Sequence, residues 1–353
     1  TTLNCKSNML LTKVYFTLSK TSHLFTPFSS FSSDASSPLS LSKQMDLERI
    51  DRDIFRAPKS KLWKPFLSRG VYGGQLLSQA SYAAYHTIID QKESNNGASV
   101  LHSMHAYFLK ACKPDFPIIY RVHRLLDGRT YRNRNIIASQ DGKPIFTCQL
   151  SFQTPERDTP QYDHQWPMPG EESVPSPDDL PNFSDLLTKL KSDPRMKQHL
   201  LPMLDKFLAE PFQIDMKPIN PQDFFDPKPI RPARQMCWVR SPKQTGNVTD
   251  DERRQYTHAT TAYASDWSLA TTSLLYHGMM WPSLKPTVEM LASIDHSIHF
   301  HLDDYDASDW MLYVMESPRL CSARGFNQGR MFTRDGRLAV SVSQESVTRF
   351  FKT

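Results

Sequence analysis

Residues 101–109 read LHSMHAYFL, and residues 295–302 read DHSIHFHL. Their shared core, His102-Ser103-Met104-His105 against His296-Ser297-Ile298-His299, recurs 194 residues on (296 − 102). A second match, Asp141-Gly142 against Asp335-Gly336, falls at the same offset and in the same order. Two separate matches at one spacing mark an internal duplication. The period is far longer than a solenoid repeat, so the chain holds a tandem pair of domains.

Around each copy the same elements follow. From Gly73-Gly74-Gln75, the apolar residues Leu76, Leu77, Ala80, Ala83, Ala84 and Ile88 have helical spacing, on a face small enough for close packing. Strand-like runs follow at residues 100–109, 117–126, 131–139 and 144–153, punctuated by the hairpin dipeptides Asp127-Gly128 and Asp141-Gly142. In the second copy, Ala264, Trp267, Leu274 and Leu275 predict a helix over 263–275. Strands are expected there at 297–302, 310–316, 325–333 and 338–347. One helix followed by an antiparallel meander, twice, is an α+β fold.

Composition removes several function classes. The chain has 353 residues, with 42 Lys+Arg against 37 Asp+Glu, too balanced for a nucleic-acid-binding surface. No apolar run approaches the roughly 20 residues of a bilayer-spanning helix. The 12 glycines build no G-x-G-x-x-G, P-loop or G-x-S-x-G motif, so dinucleotide, NTP and α/β-hydrolase signatures are missing. Five dispersed cysteines (Cys5, Cys112, Cys148, Cys237, Cys321) form no C-x-x-C pair and read as reduced core thiols.

Two stretches lie outside the repeat. Residues 1–45 are expected to be a disordered or targeting leader, Ser-rich and poor in acids as transit peptides are, though without Arg. Residues 154–235 hold 15 of the 26 prolines and read as a Pro-rich linker or insert. Within it, 186–208 is able to form a helix or two, broken at Pro194 and Pro202. The repeats then occupy 46–153 and 236–353.

Six stretches give the chain a specific likeness: RGVYGGQLLSQA (69–80), LHSMHAYFL (101–109), GKPIFTCQLSF (142–152), YASDW (263–267), SIDHSIHFH (293–301) and SARGF (322–326). In this order, over most of the chain, they resemble the type II acyl-CoA thioesterases, a family with bacterial and peroxisomal members. The resemblance implies a double hotdog, two tandem hotdog units each with a long helix wrapped by an antiparallel sheet. It also implies hydrolysis of fatty acyl-CoA to free acid and CoA, without a cofactor or metal. The family's catalytic Asp, Thr or Ser, and Gln fall on Asp266, Ser293 and Gln344, with Ser where bacterial members carry Thr. Peroxisomal location follows from the resemblance, although the chain closes on Phe351-Lys352-Thr353 and not on an S-K-L signal. Residues 1–44 would instead direct it to mitochondria, and a cytosolic location is a third option. Self-association into a homo-oligomer is expected by analogy.

The residues admit a chemical reading beside the family one. Thioester hydrolysis needs a water made nucleophilic; a desolvated carboxylate takes its proton while a hydroxyl and a carboxamide hold it in line. Asp266, beside Trp267, suits the first role, or it is simply a helix N-cap. Laying one helix on the other puts Gln75 opposite Asp266, and the 194-residue offset puts Ser99 opposite Ser293 and Leu150 opposite Gln344. The first half is then a degenerate copy, and the second carries the one active site. Backbone N–H groups at Gly73-Gly74 or Ala264-Ser265 are candidate oxyanion donors, with close packing as the other explanation of the glycines. Arg319, Arg324 and Arg330 are candidates for the CoA phosphates, or else solvated strand residues. His102/His105 and His296/His299/His301 invite a metal reading. Residues i and i+3 on a regular strand point to opposite faces, which favours core histidines instead. Hydration of enoyl thioesters, needing a His near Asp266, and a non-catalytic acyl-CoA-binding module are the competing functions.

Overall fold

A computed structural model describes residues 39–66, 68–89, 99–156, 162–170, 172–196, 198–210, 212–224, 231–279 and 288–351. The chain divides into Thr1–Ser37 and Pro38–Thr353. The first unit, with most of the expected leader, lies outside the described residues.

The first repeat comprises α1 (Leu41–Met45), β1 (Glu48–Asp51), β2 (Ile54–Ala57), α2 (Gly73–Ile89), β3 (Val100–Phe108), β4 (Ile118–Asp127), β5 (Tyr131–Gln140) and β6 (Lys143–Gln153). The predicted helical face is the one buried: Leu77, Ala80, Ala83 and Ala84 are fully inaccessible. The turn between β5 and β6 takes positive φ at Asp141 (50°) and Gly142 (69°), the left-handed pair a two-residue hairpin needs. Residues 41–45, assigned to the leader by composition, fold onto α2 as α1. Gln44 O accepts from Gln75 and Gln79 side chains at 2.9 and 2.6 Å.

The insert is not a plain linker. It contributes α3 (Phe183–Lys191), α4 (Leu201–Ala209) and β7 (Asp215–Pro218), and β8 (Arg234–Arg240) extends across the expected boundary at 235. Pro202 opens α4 instead of breaking it, because the first turn needs no N–H from that position. Val174 and Ile219 of the insert pack with Trp238, Leu312 and Val314 over the second repeat's sheet.

The second repeat holds α5 (Asp250–Ser265), β9 (Val288–Ser293), β10 (Asp295–Phe300), β11 (Met311–Cys321), β12 (Arg324–Thr333) and β13 (Leu338–Phe350). Its long helix lies earlier than the predicted 263–275. Hydropathy misses α5 because much of its buried face is polar: Gln255, Thr257, His258, Thr260 and Thr261. A capping box does mark its start, with Thr249 and Glu252 exchanging side-chain and backbone hydrogen bonds. After α5, Ala270–His277 forms a short 3₁₀ segment.

All strands among the described residues join one antiparallel sheet, in the order β1-β2-β4-β5-β6-β3-β10-β13-β12-β11-β8-β7, with β9 also on β13. The repeats meet at β3 and β10, where Met104 pairs with Ile298. These two are counterparts at the 194-residue offset, so the pseudo-twofold axis of the duplication passes through their pair. On the inner side α2 and α5 run antiparallel, tied by Tyr72 Oη donating to Tyr263 O at 2.8 Å. A second tie joins Tyr85 Oη and His258 Nδ1 at 2.6 Å. This is the double hotdog.

Candidate active site

Asp266 is the C-cap of α5, not an N-cap or a helix-face residue. The antiparallel helix pair brings the start of α2 to the same place. A Cβ built on Gly73 would meet Asp266 Oδ2 at 2.6 Å, and the Gly74 N–H donates to the carboxylate. Asp266 therefore lies between the negative end of α5 and the positive end of α2. Gly74 also abuts Tyr263 O, so the glycine permits close approach of the two helices, and its N–H serves Asp266.

Ser293 and Gln344 converge on one carboxylate oxygen. Ser293 Oγ donates to Asp266 Oδ1 at 3.2 Å, and Gln344 Nε2 donates to it at 2.6 Å. Gln344 Nε2 and Ser293 Oγ lie 3.0 Å apart. The sheet explains the meeting. Ser297 pairs with Ser343, which sets the neighbouring His296 and Gln344 across from each other. Ser293 pairs with Ser346 on the same strand β13, and the irregularity at Ile294 absorbs one residue. Ser293 and His296, three apart in sequence, thus share the inner face. The Asp266 side chain is 6% exposed. Burial raises its pKa, against the lowering effect of Gln344, Ser293 and the Gly74 N–H.

His296, a metal or core candidate in the sequence, lies beside the site. It stands 3.9 Å from Asp266 Oδ1, behind Gln344. Both ring nitrogens are engaged, Nδ1 with Gln344 Nε2 and Nε2 with Ser265 Oγ, each at 2.9 Å. Burial pushes its pKa down to about 3. A neutral ring with no free nitrogen cannot trade protons with a substrate, which removes the chemistry a hydratase would need from it. The two histidines that follow His296, His299 and His301, are exposed. The His299 and His105 rings meet edge to face, centroids 5.3 Å apart, on the sheet's outer side, and His301 bonds Ser341. A register shift between Leu101 and Ser103 breaks the i, i+3 alternation expected for His102 and His105.

The two first-half residues at the 194-residue offset have other surroundings. Ser99 is held by Arg132 and Thr154, and Leu150 is an apolar core residue. Gln75, placed opposite Asp266 by spacing, is not its equivalent. It sits at the start of its helix and clamps Trp63 N, Gln44 O and Lys61 O, whereas Asp266 ends α5. The position equivalent to Asp266 falls beyond Ile89, at the edge of the described residues.

The three arginines do not gather at the site. Arg324 pairs with Glu345 at 2.8 Å, and Arg330 pairs with Glu316 at 2.6 Å beneath Trp166. Arg319 is exposed on β11. Near the α2 start, Val71 N donates to Cys112 O at 2.8 Å, and Arg69, Lys110 and Lys113 flank this contact. None of these three makes an ion pair with another described residue.

A cavity of about 280 Å³ opens beyond Trp267. Its walls include Ser268, Thr271, Cys237 and Met315 of the second repeat and Phe183 of the insert. Phe212, also from the insert, stacks on Trp267 at 4.0 Å. Burial pushes the Cys112 and Cys237 thiols up to about 12, which leaves them poor nucleophiles at neutral pH.

Comparison with known proteins agrees with this geometry. The profile of the acyl-CoA thioesterase C-terminal domain matches residues 172–348, and that of the N-terminal domain matches 62–153. Acyl-coenzyme A thioesterase 8 of Homo sapiens is 34% identical over 305 residues, 86% of this chain and 87% of that protein. The chain belongs to the type II acyl-CoA thioesterases. The thioesterase is also 27% identical to peroxisomal acyl-coenzyme A thioester hydrolase 1 of Saccharomyces cerevisiae, over 85% of this chain and 93% of that one. Its fold matches a solved acyl-CoA thioesterase II of Mycobacterium marinum. That match has a TM-score of 0.63 and 25% identity, and covers 88% of this chain and 97% of the other. The thioesterase hydrolyses acyl-CoA thioesters, and no helix among its described residues is long and apolar enough to cross a membrane.

Proposed function

We propose that the thioesterase acts through Asp266, Ser293 and Gln344 on a water molecule at the thioester carbonyl of a fatty acyl-CoA. The observation that carries this reading is the convergence of Ser293 and Gln344 on Asp266 Oδ1, within 3.2 Å, from three separate elements. Burial makes Asp266 a stronger base than a surface carboxylate. Ser293 and Gln344 fix its orientation, and Ser293 Oγ retains lone pairs that hold the water. As the water attacks, its proton passes to Asp266. As the C–S bond breaks, that proton goes to the departing CoA sulfur, giving free acid and thiol. Gly74 N–H is committed to Asp266, which leaves Gly73 N–H as the α2 donor for the developing oxyanion. Thiol release from palmitoyl-CoA tests this. Asp266→Asn is expected to lower kcat by about 10²-fold or more; a variant that keeps wild-type turnover contradicts it.

The fatty chain, on this reading, lodges in the apolar cavity beyond Trp267, and Arg69, Lys110 and Lys113 meet the CoA phosphates. Thr271→Trp, which fills the cavity, should shift preference to shorter acyl chains; unchanged preference counts against the assignment. A peroxisomal location belongs to the same reading, supported by the name of the Saccharomyces relative. Imaging a tagged full-length chain against peroxisomal and mitochondrial markers decides between the alternatives. Self-association is supported by Tyr107, 55% exposed on one of the sheet's central strands, and light scattering measures it.

A further inference from the structure

Three hydrogen bonds behind the candidate site run in one direction, from Gln344 through His296 and Ser265 to a backbone carbonyl that sets it, and a fourth leaves Gln344 for Asp266. Ala262 O can only accept, and Ser265 Oγ donates to it at 3.0 Å. With its single proton committed there, Ser265 Oγ accepts from His296 Nε2 at 2.9 Å. The His296 ring is fully buried and neutral, so its one proton is on Nε2 and Nδ1 is a bare lone pair. Gln344 Nε2, 2.9 Å from Nδ1, is the donor it meets. The carboxamide nitrogen's second N–H reaches Asp266 Oδ1 at 2.6 Å.

The opposite flip of Gln344 would place its oxygen against both the His296 lone pair and the Asp266 carboxylate. The flip adopted has its own cost: Gln344 Oε1 is buried and has no hydrogen-bond partner among the described residues. Something must therefore hold the nitrogen on the Asp266 side. We propose that His296, locked in its Nε2–H tautomer by Ser265, is a positioning residue that keeps Gln344 donating to Asp266. The inference rests on the catalytic reading of Asp266 and Gln344 and adds how their mutual orientation is maintained. The relay is confined to the second repeat. His102, the counterpart of His296, bonds Ser151 Oγ at 2.8 Å, and Leu150 replaces Gln344.

Without the lock, Asp266 loses a donor to its ionised form, and its carboxyl holds its proton to higher pH. Among the described residues, the other titratable groups facing Asp266 are Tyr72, ahead of α2, and Tyr313 of β11. Burial keeps both neutral, so neither masks the change.

Two measurements on the full chain test the proposal. In ¹⁵N-histidine-labelled wild type, His296 should show protonated Nε2 and unprotonated Nδ1; protonated Nδ1 overturns the proposal without any variant. In the pH profile of palmitoyl-CoA thiol release, Ser265→Ala and His296→Phe should move the acid limb upward. They should lower kcat by about tenfold to a hundredfold with KM little changed. His296→Asn, which keeps an acceptor at the Nδ1 position, should recover part of kcat. Folded Ser265→Ala with an unmoved acid limb overturns the positioning role. Wild-type turnover by Asp266→Asn overturns the catalytic reading instead, and leaves the tautomer result standing.

Discussion

Gly73 presents its bare α-carbon to the Asp266 carboxylate: a Cβ there would lie 2.6 Å from Oδ2 and 3.1 Å from the Phe108 ring. The contact joins the first repeat to the catalytic candidate of the second. Gly73→Ala should therefore displace Asp266 from its donors, with kcat falling by about 10²-fold while thermal stability changes little. Turnover and melting temperature on the same preparation check this. A stability loss with full turnover would show the glycine to be a packing residue alone.

The cation assignment is separable by charge. Arg324 and Arg330 already have carboxylate partners, so Arg324→Ala and Arg330→Ala should leave KM for acyl-CoA nearly unchanged. Arg69→Glu and Lys110→Glu should raise KM by about tenfold at low salt, with the difference shrinking as ionic strength rises. Steady-state kinetics at two salt concentrations distinguish the two sets.

Stability should fall in mild acid. Burial holds His258 and His296 down to about 3 in the folded chain, against 6.5 for an exposed imidazole. Between those values the unfolded chain binds protons that the folded chain refuses. The stability contributed by the neutral rings is thus complete above about 6.5 and is lost as the pH drops toward 3. Asp266, with its pKa raised by burial, has the opposite sign. Its contribution is complete at low pH and is lost as the pH rises through its folded value. Asp266→Asn should accordingly raise the urea midpoint at pH 7.5, by a margin that narrows toward pH 4. A margin that widens in acid contradicts this electrostatic account.

The sequence shows the duplication, the first helix and eight of the strands, because hydrophobic alternation and Asp-Gly turns are local signals. It obscures α5, whose buried face carries Thr257, His258, Thr260 and Thr261 in place of aliphatic residues. It also hides β7 and β8, masked by the prolines around them. Of the site, the family likeness points to Asp266, Ser293 and Gln344. The role of His296 was not legible, because it depends on the break at Ile294 that turns it to the same face as Ser293. The arginines misled for a related reason: strand position says which residues alternate, not which cations already have carboxylates across the ladder.

The central claim is that one site, built on the second repeat, carries the hydrolysis. Gln344→Leu gives the second repeat the residue that the first has at Leu150, and Asp266→Asn removes the base. Thiol release from palmitoyl-CoA by the folded double variant, measured against the uncatalysed rate, tests the claim most directly. The account predicts release indistinguishable from background. Turnover within about tenfold of wild type would place the reaction elsewhere and contradict it.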